Sequence, residues 1–213
     1  GEVLGLCVGL PVRLLGLRLG FGSFPVLPVL WLAAYPAACY LVSKKGWGKA
    51  VLSGFSMSRR QAAHLALRVL IAAAALSAGM LLLAPGHFLE LPRGRPGLWA
   101  LVMIMYPLVS VYPQGVLYRG LYYARYACLF PTERAQWLAG AFAFGLAHLV
   151  FANGWAVALT LVGGLFINRT YRRTGSLMAA NLEHALYGQL VFTCGWGQFL
   201  YHGTLRLAEA CSG

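Results

Sequence analysis

Among side chains able to carry charge or bind metal, Arg68, Arg119, His148, Glu183 and His184 stand out in an apolar sequence. A charged group held at mid-membrane costs about +2.5 to +3.5 kcal/mol on insertion scales, so each needs a partner or a purpose. His148 and His184 fall in different runs. Two neutral imidazoles on facing helices are the start of a metal site, because histidine is the commonest metal ligand. A catalytic zinc would need a third protein ligand and an open position. The alternative is that each ring is hydrogen-bonded to a carbonyl or hydroxyl of a neighbouring helix. Glu183 is the one carboxylate inside an apolar run, since Glu2 and Glu209 lie near the ends and Glu90 and Glu133 between runs. It is a base or the counter-ion of Arg119 or Arg68, and pairing is the expected role because buried charges are normally paired. Arg68 shares a helix face with His64, four residues earlier. The simplest expectation for it is that its long stem snorkels toward a headgroup.

These residues must be positioned by helices. Of 213 residues, 60% are hydrophobic and 10% charged, against about 25% charged in a soluble domain. Lipid tolerates such a surface, and water does not. At roughly 20 apolar residues per span, the length allows about six crossings in one compact unit. The runs are 24–42, 62–84, 98–112, 135–151, 155–167 and 176–194, with a core bundle over 24–194 inside a single membrane domain, 1–213. Pro113 is expected to kink or restart the third run, because proline lacks the backbone donor and clashes with the preceding turn. The Gly163-Gly164 pair permits close helix approach. Residues 1–23 carry Arg13 and Arg18 in an apolar pattern and read as an interfacial helix or an additional span. The expectation is therefore an all-α, polytopic transmembrane bundle.

The charge balance is lopsided: 17 Lys and Arg against 5 Glu and no Asp, a formal net charge of +12. The basic residues cluster after the first, third and fifth runs, which the positive-inside bias places in the cytoplasm. Anionic lipid is the expected partner of that surface, and nucleic acid is not. The five cysteines are odd in number and widely spaced, with no disulfide framework. Tyr118, Tyr122, Tyr123 and Tyr126 fit an interface belt, and His87 and His202 also read as interfacial.

Three local patterns occur in order: Gln114-Gly115-Val116-Leu117-Tyr118-Arg119-Gly120, then Phe144-Gly145-Leu146-Ala147-His148, then His184-Ala185-Leu186-Tyr187-Gly188. Over residues 111–192 the chain resembles the CPBP family of intramembrane proteases, which includes the CAAX prenyl endopeptidases and bacteriocin-processing or immunity relatives. That family has two adjacent glutamates followed by Arg, then Phe-x-x-x-His, then His-x-x-x-Asn or Asp. Arg119, Phe144 with His148, and His184 match. Gln114 and Gly115 stand where the glutamates belong, and Gly188 where Asn or Asp belongs. The resemblance implies a site of Gln114, Arg119, His148 and His184, with His148 and His184 as the metal ligands of a zinc. It also implies that the water-activating base is gone, because the Gln114 amide has no titratable proton in range and Gly115 has no side chain. The expected function is a CPBP-like protein with weak or lost peptidase activity, in a bacterial inner membrane. The alternative is a non-catalytic scaffold or accessory subunit. The expected partners are lipid, a membrane peptide or other membrane subunits.

Overall fold

A computed structural model describes Val12, Arg13, Gly16 and residues 25–44 and 54–200. The expectation for residues 1–23 falls, apart from those three positions, outside the described residues, and so does His202. Among the described residues the chain is helical and has no strand. Six principal helices correspond to the six apolar runs: α1 Val26–Ser43, α2 Arg59–Leu83, α3 Pro96–Leu129, α4 Glu133–Ala147, α5 Gly154–Thr174 and α6 Leu177–Thr193. Short helical turns, Pro85–His87 and Glu90–Gly94, link α2 to α3.

Local chemistry sets the starts. The first N–H groups of a helix lack intrahelical acceptors, and a Ser, Thr or Asn oxygen supplies one. Ser58 and Gln61 close a reciprocal box at α2: Gln61 N–H donates to Ser58 Oγ (3.3 Å), and Ser58 N–H to Gln61 Oε1 (2.8 Å). Thr132, Asn153 and Ser176 cap α4, α5 and α6 in the same way. α5 stops at Gly175, whose φ of +64° suits a residue without Cβ.

The third run does not restart as a new helix at Pro113. The helix passes through Pro107 and Pro113 without ending, and it does so by widening. Residues Pro107–Val111 and Val116–Tyr126 are wound as π-helix around a single α-turn, Tyr112–Gly115. Tyr112 N–H reaches back five residues to the Pro107 carbonyl. The wider i→i+5 winding gives the chain somewhere to absorb two residues that disturb the ordinary ladder. It also sets the inward side of α3, where Val111, Gly115, Val116, Arg119, Gly120 and Tyr122 are all buried.

The core joins α1, α3, α4, α5 and α6 through Leu41, Val116, Phe144, Ile167, Leu177 and Ala180. Gly164 lets α5 lie against α4, since a Cβ there would come within 3.3 Å of the Ala141 carbonyl oxygen; Gly163 faces open space apart from Ile167. Indole N–H groups tie helices together: Trp31 to the Val109 carbonyl, Trp137 to the Leu165 carbonyl and Trp99 to Thr193 Oγ1.

The outward faces are apolar. Leu32, Leu70, Ile71, Leu82, Leu101 and Ile104 are exposed, Leu82 at 83%, a pattern suited to lipid rather than water. Helices α1, α2 and α3 are long and apolar enough to cross a membrane. The remaining three apolar runs form helices that are shorter or, in α5, end on Arg169, Arg172 and Arg173. At one end of the bundle Gln61 Nε2 donates to the Arg173 carbonyl, and Arg172 pairs with Glu133. That brings the basic starts and ends of α2, α4 and α5 together.

Candidate functional site

The centre of the site is the Phe144 ring on α4. Arg119 Cζ from α3 lies 4.2 Å from its centroid. The His148 ring stands 4.8 Å away and the His184 ring, from α6, 5.2 Å away, both edge-on. Three residues, from α3, the end of α4 and α6, thus meet around one aromatic ring. Arg119 and His184 are buried, and His148 is half-buried at the end of α4.

Each imidazole has one nitrogen accounted for. His148 Nδ1–H donates to the Phe144 carbonyl at 2.8 Å. A carbonyl only accepts, so the neutral ring keeps its Nε2 lone pair free. His184 Nε2 lies 3.3 Å from the Tyr106 hydroxyl, while its buried Nδ1 has no hydrogen-bond partner.

Zinc is the metal that the resemblance implies. The two rings can offer one nitrogen each, but a catalytic zinc takes three protein ligands. No cluster of three His, Cys, Asp or Glu side chains occurs among the described residues. The donor set present does not by itself fit a zinc.

Glu183 and His184 are neighbours about 100° apart around α6, and they face different ways. Glu183, fully buried, points to α2 and not to Arg119. Arg68 Nε lies 3.0 Å from its Oε1, and the Tyr187 hydroxyl donates to the same oxygen at 2.8 Å. Arg68 Nη2 donates onward to Thr170 Oγ1 at 2.9 Å. Arg68 therefore turns inward as the counter-ion of Glu183, one of the two pairings expected for that carboxylate, and does not follow the snorkelling expectation.

Among the described residues no carboxylate forms an ion pair with Arg119. Its Nε donates to Asn168 Oδ1 at 3.2 Å, and both Nη atoms are buried without a hydrogen-bond partner. Gln114, half-buried, bonds to its own helix through Nε2 and Ser110 Oγ (2.8 Å), and its Oε1 has no partner.

At two glycines a neighbouring side chain fills the space that a Cβ would need. A Cβ on Gly115 would lie 2.8 Å from Asn181 Cγ, so the Asn181 amide fills the space that a residue at 115 would enter. A Cβ on Gly188 would strike the Tyr106 ring and hydroxyl. Asn181, Tyr106 and Asn168 were missed in the sequence. Asn168 at the end of the fifth run and Asn181 inside the sixth did carry a signal, an amide in an apolar helix. Tyr106 carried none, because its role appears only where it meets Gly188.

Residues 96–189, a little under half of the chain, match the family described as type II CAAX prenyl endopeptidase Rce1-like. No curated protein and no solved structure matches the chain. The match spans α3 to α6 and takes in Gln114, Arg119, His148 and His184. Residues 96–189 are thus similar to an Rce1-like, CAAX-protease-like domain, and the long apolar helices α1, α2 and α3 fit an integral membrane protein.

Proposed function

We propose that this protein is a multi-pass, CAAX-protease-like membrane protein whose peptidase activity is weak or lost; the alternative is a non-catalytic scaffold or accessory subunit of a membrane assembly. The observation that carries this reading is at Gly115. The position has no side chain, and Asn181 occupies the space an acid there would need. Hydrolysis of a peptide needs a group that takes a proton from water near neutral pH. Gln114 is an amide and cannot. Glu183 is engaged by Arg68 and Tyr187. The grouping of Arg59, Arg60, Arg172 and Arg173 at one end of the bundle supports a cytoplasmic placement of that end, beside anionic lipid.

The test is restoration. Gln114→Glu and Gly115→Glu, combined with Asn181→Gly to clear the space, should give cleavage of a prenylated CAAX peptide where the parent chain gives none. Equal cleavage by the parent and the restored protein would refute the reading.

A further inference from the structure

The end of the bundle away from the basic cluster holds a packed group of its own. α2 begins beside Arg173, where Gln61 reaches its carbonyl, and its 25 residues end roughly 37 Å away at Leu83. There Met80, Val191, Cys194 and Trp196 form a separate core. Trp196 is buried and fixed. Its indole N–H donates to the Leu76 carbonyl at 2.9 Å, and its ring lies 3.0 Å from where a Cβ on Gly79 would stand. Trp155, at the start of α5, meets it edge-on, with centroids 5.4 Å apart, and is 48% exposed. Beside the two indoles lies a cavity of about 240 Å³, lined by Met80, Leu83, Ala84, Trp155 and Trp196.

No side chain lining this cavity carries a charge. It is smaller than the roughly 300–1,000 Å³ of a cleft for a compact drug-sized ligand, so a thin chain suits it better than a ring system. Its wall is continuous with the face that lipid covers, because Leu83 both lines it and is 64% exposed, next to Leu82. The linker that follows Ala84 runs past the same place: a Cβ on Gly195, one residue before Trp196, would strike the His87 carbonyl. That linker carries Arg93 and Arg95, both exposed. Neither has an ion pair among the described residues, and the linker's one acid, Glu90, is held by His87. The positive-inside bias gives no reason for two arginines at the end opposite the basic cluster. An anion at that interface does.

We infer that this cavity takes one acyl chain of an anionic phospholipid, whose phosphate lies against Arg93 and Arg95. The chain enters from the lipid face at Leu83 and rests on the two indoles. A guanidinium fork matches phosphate oxygens with paired N–H···O bonds. Tryptophan favours the depth at which headgroup and chain meet. The site shares no residue with the cluster around Phe144, so it stands whether or not the chain cleaves peptide.

The experiment uses the whole protein in maltoside micelles, titrated with phosphatidylglycerol or with phosphatidylcholine of the same chains, and follows melting temperature. Phosphatidylglycerol at low molar excess should raise it by several degrees, since a ligand that binds only the folded state stabilises it. No shift, or an equal shift with phosphatidylcholine, overturns the proposal. Ala84→Phe fills the cavity and should abolish the response; a full response in the folded variant overturns the proposal. Should that variant fail to fold, Arg93→Gln combined with Arg95→Gln decides, because it alters only exposed side chains. The pair should weaken the apparent binding of phosphatidylglycerol about tenfold or more, and unchanged binding overturns the proposal. Native mass spectrometry counts the ligand. One phosphatidylglycerol retained per parent chain, and lost in the arginine variant, is the expected result; equal retention of both lipids by both proteins overturns it.

Discussion

The Asn181 amide stands where a side chain at position 115 would stand. Gly115 on α3 and Asn181 on α6 are thus a complementary pair, one empty and the other filling the gap, with Asn181 Cγ 2.8 Å from the Cβ position of residue 115. Gly115→Ala alone should destabilise the solubilised protein by about 1–3 kcal/mol, the usual cost of overpacking a filled interior. In an Asn181→Gly background the same change should cost little. A double-mutant cycle on thermal unfolding measures the coupling, and additive effects would show that the two positions do not compete for space.

Gly188 and Tyr106 form a second pair of this kind, and it bears on His184. Gly188→Ala should push the Tyr106 ring aside and cost about 1–3 kcal/mol. Tyr106→Ala should relieve most of that penalty. Tyr106→Phe removes only the hydroxyl near His184 Nε2, worth about 0.5–1.5 kcal/mol for an ordinary hydrogen bond. A penalty for Gly188→Ala that is unchanged in the Tyr106→Ala background would break the link.

Glu183 should matter for stability. Its carboxylate is fully buried and joins α6 to Arg68 of α2. Breaking a buried pair costs about 3–5 kcal/mol, and the partial exposure of Arg68 puts Glu183→Gln toward the lower end. Tyr187→Phe should cost less, about 1 kcal/mol. An unchanged melting temperature for Glu183→Gln would remove the pair from the account.

Metal analysis gives a fourth prediction. With two imidazoles and no third His, Cys, Asp or Glu beside them among the described residues, the purified protein should hold zinc well below one per chain. His148→Ala and His184→Ala should leave that content unchanged. One zinc per chain, lost in both variants, would mean that the residues beyond those described complete the site.

Much of the fold was legible because apolar runs of membrane length have few alternatives to a helix. The six runs became α1 to α6. The π winding on either side of Pro113 was not legible, because periodicity does not reveal it. The orientation of Arg68 was equally hidden: a long side chain can reach either headgroup or core, and only the location of Glu183, over a hundred positions later in the chain, decides. The partners of Arg119 and His184, Asn168 and Tyr106, lie 49 and 78 positions away, and no local spacing predicts such contacts.

The central claim, that the site lacks a working base, is tested most directly by a cleavage assay on the unaltered protein. Full-length protein in lipid, given a prenylated CAAX peptide, should release no product above the level of its His184→Ala variant. Cleavage well above that level, abolished by His184→Ala, would contradict the account.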